Sequence, residues 1–130
     1  MTAPGAPRID STKPISLAEK LAGFTEHWQP RTVAEFNGHD VMVVKAQGEF
    51  VWHKHDETDD LFLVLRGELT IELRDRSVTL RAGDLFVVPK GVEHKPFAEH
   101  EVKLLLIEPR GVLNTGHEGG ERTAVNDVWI

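Results

Sequence analysis

The sequence predicts an all-β domain, a sandwich or double-sheet barrel of eight or so short antiparallel strands, preceded by one short helix. Three observations predict it. Between Val33 and Ile107, apolar or alternating runs recur between Gly, Pro and Asp turn signals. The connections between those runs are nearly all short and none has a helical period, which disfavours parallel βαβ units. The chain has 130 residues, 40% of them hydrophobic, which suits one domain with a sizeable core.

Residues 1–14 hold Pro4, Pro7 and Pro14 with Gly5 and few large apolar groups, the composition of a mobile arm. Ser16 and Glu19 then have capping-box spacing. Leu17, Leu21 and Phe24 share one helical face, and Gly23 ends the run. This predicts a short helix whose apolar stripe covers a sheet. Val41–Val44 is a β-branched run interrupted by Gly48. The strand is expected to resume over Phe50–His55, with Val51, His53 and His55 inward and Trp52 outward.

Leu61–Leu65 is apolar on both faces, so its outer face needs cover from the helix, the tail or a second subunit. Leu69–Arg74 alternates as a half-buried strand does, and Val78 and Leu80 continue the alternation after a turn at Asp75-Arg76. Gly83-Asp84 turns the chain into Leu85–Val88, which Pro89 stops, and Val102–Ile107 is the last strong run. Beyond Pro109, the glycines at 111, 116, 119 and 120 predict a loop-like tail pinned at its end by Val128, Trp129 and Ile130. The expected division is an arm over 1–14, a barrel with its helix over 15–108 and a packed tail over 109–130.

Composition narrows the function. With 15 Lys and Arg against 21 Asp and Glu, the net charge is −6. A phosphate-backbone binder needs a basic stripe, and no second helix of recognition length follows the first, so no nucleic-acid partner is expected. Cysteine is absent, which excludes disulfides, thiolate metal sites and Cys nucleophiles and fits a cytoplasmic protein. No apolar run approaches membrane-spanning length, so no membrane partner is expected either.

The histidines carry the chemistry. His53 and His55 are two apart, so on a strand both rings leave one face and can share a first-row metal ion. A second segment runs from Gly83 through the Pro89-x-Gly91 turn to His94. Together the two read Gly48-x4-His53-x-His55-x4-Asp60-x6-Gly67, then fifteen residues, then Gly83-x5-Pro89-x-Gly91-x2-His94. Over roughly residues 40–108 this pattern resembles the two signature motifs of the cupin superfamily, in particular small single-domain cupins of the mannose-6-phosphate isomerase-like group.

The resemblance implies a double-stranded β-helix, the cupin or jelly-roll barrel. It also implies a divalent metal in its mouth, held by His53, His55 and His94, with Asp60 in the position of the family's glutamate. Fe, Mn, Ni or Zn suits such a donor set.

The sequence departs from the family pattern in three places. Four residues rather than five separate Gly48 from His53, Ala98 replaces the usual asparagine, and Asp60 is one methylene shorter than glutamate. Asp60 is therefore expected to fall short of the metal unless the backbone moves, with Asp59 as the alternative ligand. Charge runs on turns are usually solvated, so at least two of Asp56, Glu57, Asp59 and Asp60 are expected only to keep the turn wet. The remaining inward set is apolar: Val51, Phe62, Val64 and Pro96.

Glu49 shares the parity of His53 and is the candidate general base, unless Gly48 interrupts the register and leaves it at an exposed strand edge. The expected function is binding or transformation of a small polar metabolite, as an isomerase or a dioxygenase. The alternative is a metal-dependent binding module without turnover. A homodimer is expected from the doubly apolar Leu61–Leu65 run and from the habits of the family.

Overall fold

The computed structural model describes residues 13–116, 120, 123, 124 and 128–130, so the expected arm lies almost wholly outside the described residues. Ser16 caps α1 (Leu17–Ala22): its hydroxyl accepts a bond from Glu19 N at 3.2 Å, and Gly23 N donates back to Lys20 O. The helical stripe of Leu17, Leu21 and Phe24 packs with Val33, Val41, Val43 and Leu65 as a small separate cluster.

Seven strands follow: β1 (Arg31–Phe36), β2 (His39–Glu49), β3 (Asp60–Arg66), β4 (Glu68–Leu73), β5 (Ser77–Arg81), β6 (Leu85–Val88) and β7 (His94–Pro109). Paired strands are antiparallel, in the order β1-β2-β7-β3-β6, and β4 lies between β5 and β7. The all-β architecture is a jelly roll whose sheet does not close into a full barrel. Its core includes Val44, Val64, Leu69, Ile71, Val88, Val102 and Leu104, all almost fully buried. Each such side chain contributes about 2 kcal/mol by leaving water.

β7 does most to shape the site. It is 16 residues long, and its even-numbered members other than the exposed His100, namely His94, Pro96, Ala98, Val102, Leu104, Leu106 and Glu108, are buried. Its first residues pair with β4, where Leu73 faces His94, and its later ones pair with β2 and β3.

The expected strand over Phe50–His55 does not form. Gly48, at φ +82°, sits in a register shift between β2 and β7, a backbone conformation that glycine adopts without strain. After it Phe50, rather than Val51, turns fully into the core, and the chain leaves the ladder. A single bridge survives, in which His53 and His94 exchange backbone bonds of 3.0 and 2.9 Å.

The described end of the tail is tied to β1. Thr32 N donates to Val128 O at 2.7 Å, and Ile130 N donates to Thr32 O at 3.1 Å.

Candidate metal centre

Three places in the chain converge at one end of the sheet. The β2–β3 loop supplies His53 and His55, the first residue of β3 is Asp60, and the first residue of β7 is His94. All four are buried, and one potential ligand atom from each lies within 4.8 Å of the other three.

Backbone partners fix the orientation of two rings. His53 Nδ1 is 2.9 Å from Val51 O, and His94 Nδ1 is 2.9 Å from Val92 O. A carbonyl oxygen only accepts, so both Nδ1 atoms carry the hydrogen and both Nε2 atoms are left for the site. A neutral His94 would then aim an Nε2 lone pair at Asp60 Oδ2, 2.9 Å away. Two acceptors at that distance repel unless a cation or a proton lies between them. His55 Nε2 lies 3.2 Å from the same oxygen. His55 Nε2 and Asp60 Oδ1 are buried without a hydrogen-bond partner. Leaving such atoms unsatisfied costs about 1–3 kcal/mol each, a cost that coordination of a cation removes. Three imidazoles and a carboxylate with orphaned donor atoms fit a divalent first-row metal.

The electrostatics agree with that donor set. Burial, reinforced by His94, lowers the pKa of His53 to about 4, so its ring is neutral and free to ligate at pH 7. Burial alone would raise Asp60, but its polar contacts with His55, His94 and Glu108 outweigh that and hold its carboxyl well below the usual range.

The expected shortfall of Asp60 does not occur. β3 begins at this residue, whose backbone is paired with Val88 of β6, and this draws the short side chain directly among the rings. Asp59 instead faces outward, where its Oδ1 accepts a bond from Lys90 N at 2.9 Å and staples the loop. Glu49 also stands apart. Past the Gly48 irregularity its side chain is 64% exposed and pairs with Lys95 Nζ at 3.3 Å. Trp52 packs under Arg74, 3.7 Å from ring centroid to guanidinium carbon, away from the histidines as its parity suggested.

Sequence reasoning passed over Glu108. It is 4% exposed and lines the same cavity as His53 and Asp60. Burial and the nearby charges of Asp60 and Asp40 raise its pKa well above the usual carboxylate value. The signal was its parity with Val102, Leu104 and Leu106, which places a carboxyl on the inward face. The cavity has a volume of about 50 Å³ and is otherwise mostly apolar, with Trp28, Met42, Phe50, Phe62, Leu104 and Leu106 among its walls. That is room for several waters or for the reacting end of a small molecule.

Comparison with known proteins agrees with this geometry. The Cupin domain model matches residues 40–108. The crystal structure of a cupin-2 domain containing protein from Shewanella frigidimarina NCIMB 400 is 50% identical, with a TM-score of 0.75 over 77% of this chain and 98% of that one. The uncharacterized protein YdbB of Bacillus subtilis (strain 168) is 40% identical over 80 residues, which is 61% of this chain and 65% of YdbB. A 3-hydroxyanthranilate 3,4-dioxygenase of Meyerozyma guilliermondii is 30% identical over 82 residues, 58% of this chain and 48% of the enzyme. The chain thus spans less than two thirds of the length of either curated relative.

Proposed function

The chain belongs to the cupin family, and from that premise we propose that it is a metal-dependent enzyme of dioxygenase type acting on a small hydroxylated compound. The observation that carries this reading is the pair of orphaned buried atoms, His55 Nε2 and Asp60 Oδ1, among further imidazole donors. His53, His55, His94 and Asp60 would hold the ion, with Fe, Mn, Ni and Zn all compatible. When bound, the ion supplies Lewis acidity and, for a redox-active metal, a place to orient oxygen beside a substrate.

The chain's own residues do the rest. Phe50, Phe62, Leu104 and Leu106 give the cavity apolar walls, and burial beside Asp60 biases the Glu108 carboxyl towards its protonated form. Glu108 is the one titratable cavity-lining side chain besides the candidate ligands among the described residues. An isomerase that removes a proton from one face of its substrate and returns it to the other needs a second such group, which favours oxygenation. The 30% identity to the 3-hydroxyanthranilate dioxygenase supports the same choice. The same scarcity of acids and bases supports a second reading, a metal-bearing module that binds its ligand without turnover.

The test begins with metal analysis of untagged protein, followed by oxygen uptake with a panel of small phenols, catechols and hydroxy acids, before and after chelation. Stoichiometric metal with chelator-sensitive oxygen uptake is expected. Metal with ligand retention but no uptake identifies the binding module, and protein that neither carries nor takes up metal contradicts both readings. We also infer a homodimer, supported by the apolar outer face of β3 and β6, where Leu85 is 56% and Val87 39% exposed.

A further inference from the structure

We propose that Trp28 is the residue that sets ligand specificity, by presenting the flat face of its indole to a planar, apolar ring in the cavity. The proposal rests on the reading of that cavity as the ligand site. Trp28 lies outside residues 40–108, so the family match says nothing of it.

Its backbone carries the first observation. Trp28 has φ +61°, in the left-handed region that a bulky side chain rarely adopts. Strain of this kind persists only where the surroundings over-determine it, and such residues concentrate at ligand sites. Three bonds hold it: Trp28 N donates to Lys45 O at 2.8 Å, Nε1 donates to Gln47 O at 2.9 Å, and Trp28 O accepts from Asn114 Nδ2 at 3.1 Å.

The second observation is what those bonds leave free. With its polar edge tied to Gln47, the indole offers the cavity only apolar ring surface. Trp28 stacks on Phe50 with centroids 4.8 Å apart and planes 29° from parallel, and Phe50 meets His53 edge-on at 5.1 Å. An aromatic wall therefore runs from Trp28 to a candidate ligand, lining one cavity with Asp60 and Glu108. A ring with a hydroxyl at one end matches it: the flat body lies along the wall and the oxygen points to the histidines. Asn114, from the tail, also lines the cavity and is a positioning residue that acts through Trp28.

The experiment uses the full chain loaded with Zn(II), and two probes that carry the same hydroxymethyl group on a flat or a puckered ring, benzyl alcohol and cyclohexylmethanol. Dissociation constants are read by ligand-observed NMR, with zinc content and thermal melting measured on the same samples. The wild type is expected to prefer benzyl alcohol by about threefold to tenfold, the range of a stacked aromatic pair. Trp28→Leu should bring the ratio to about one, and Trp28→Phe should keep it.

A folded, zinc-loaded Trp28→Leu variant that still prefers the flat ring overturns the proposal, and so does a wild type that binds both probes alike. If Trp28→Leu does not fold, Asn114→Asp takes its place. It removes the donor to Trp28 O but keeps the Oδ1 acceptor that Ala124 N uses, and an unchanged preference in it overturns the proposal equally. A wild type that takes up no zinc contradicts the metal reading alone, because the same titration still reads the ring preference.

Discussion

His94 and Glu108 stand near opposite ends of one 16-residue strand, yet both meet the carboxyl of Asp60. The two ends of β7 reach a common point because its start pairs with β4 and its end with β2 and β3. The strand thus carries a candidate ligand at one end and a buried acid at the other. Glu108→Gln keeps the shape but removes the exchangeable acid. Metal stoichiometry should be unchanged, while turnover falls by about 10²-fold or more, the usual weight of a positioned acid or base. Loss of metal in this variant would make Glu108 a ligand instead.

Removal of a ring should abolish metal binding without unfolding the sheet. His55→Ala and His94→Ala are expected to keep the far-ultraviolet circular dichroism of the wild type but to bind no metal. The measurement is the melting temperature with and without added metal. At a free metal concentration of about 100 times Kd the wild type gains about 2.7 kcal/mol, and the variants should gain none. Asp60→Glu is expected to weaken metal retention. The aspartate already reaches both rings, and an added methylene must be fitted into a space bounded by them and by Glu108.

Acid should destabilise the metal-free protein in a defined window. His53 has a folded pKa of about 4 against 6.5 in the unfolded chain, so as pH falls the unfolded state takes up the proton first. The stability associated with a neutral His53 is complete above pH 6.5 and is lost as pH falls towards 4, by about 3 kcal/mol in total. Glu108 has the opposite sign. Its folded value is raised, so its contribution is complete below the ordinary glutamate value and lost as pH rises through the raised one. Calorimetry of chelator-treated Glu108→Gln protein, in which the opposing contribution is removed, should show the acid limb between pH 7.5 and 4.5, and adding His53→Gln should flatten it.

Local signals made much of this legible in the sequence. Ser16 and Gly23 bracket the helix because a cap is a contact between near neighbours in the chain. Alternation placed β4 and β5 because a half-buried strand has a two-residue period. The histidines were legible through spacing, and their convergence is seen in the structure. What escaped depended on long-range geometry. Phe50–His55 has the composition of a strand, but the Gly48 irregularity takes it off the ladder. Asp60 looked too short because its reach depends on where β3 begins. Glu108 read as the polar end of an apolar run, since only the course of β7 brings it to a residue 48 positions earlier. Trp28 carried no pattern at all; its role follows from a backbone angle and from a tail residue 86 positions away.

Gly116 links the tail to the loop that carries His53 and His55. Its φ is +59°, and a Cβ there would fall 2.1 Å from Lys54 O and 3.4 Å from His55 Nδ1. The obstacle is backbone, which cannot swing aside as a side-chain tip can. Gly116→Ala should therefore displace the tail turn or the 54–55 peptide and weaken metal binding by about tenfold or more, while β4 and β5 keep their amide protection in hydrogen exchange. Undiminished metal affinity would show that the tail turn does not position His55.

The outer face of the sheet makes the last prediction. Leu61 lies directly opposite Val87, and Leu63 directly opposite both Leu85 and Leu105, which lines up five apolar side chains across β6, β3 and β7. Directly opposed residues share a face, so this is one patch rather than scattered exposure. The helical cluster reaches Leu65 on β3, and Leu61, Leu63, Leu85 and Val87 are not part of it. A second copy of the chain would bury the patch at about 2 kcal/mol per large side chain. Sedimentation velocity at micromolar concentration should find the wild type dimeric. Leu85→Lys should be predominantly monomeric with its metal content unchanged, because a charge placed in the patch penalises only association. A monomeric wild type under those conditions would leave the patch without this partner.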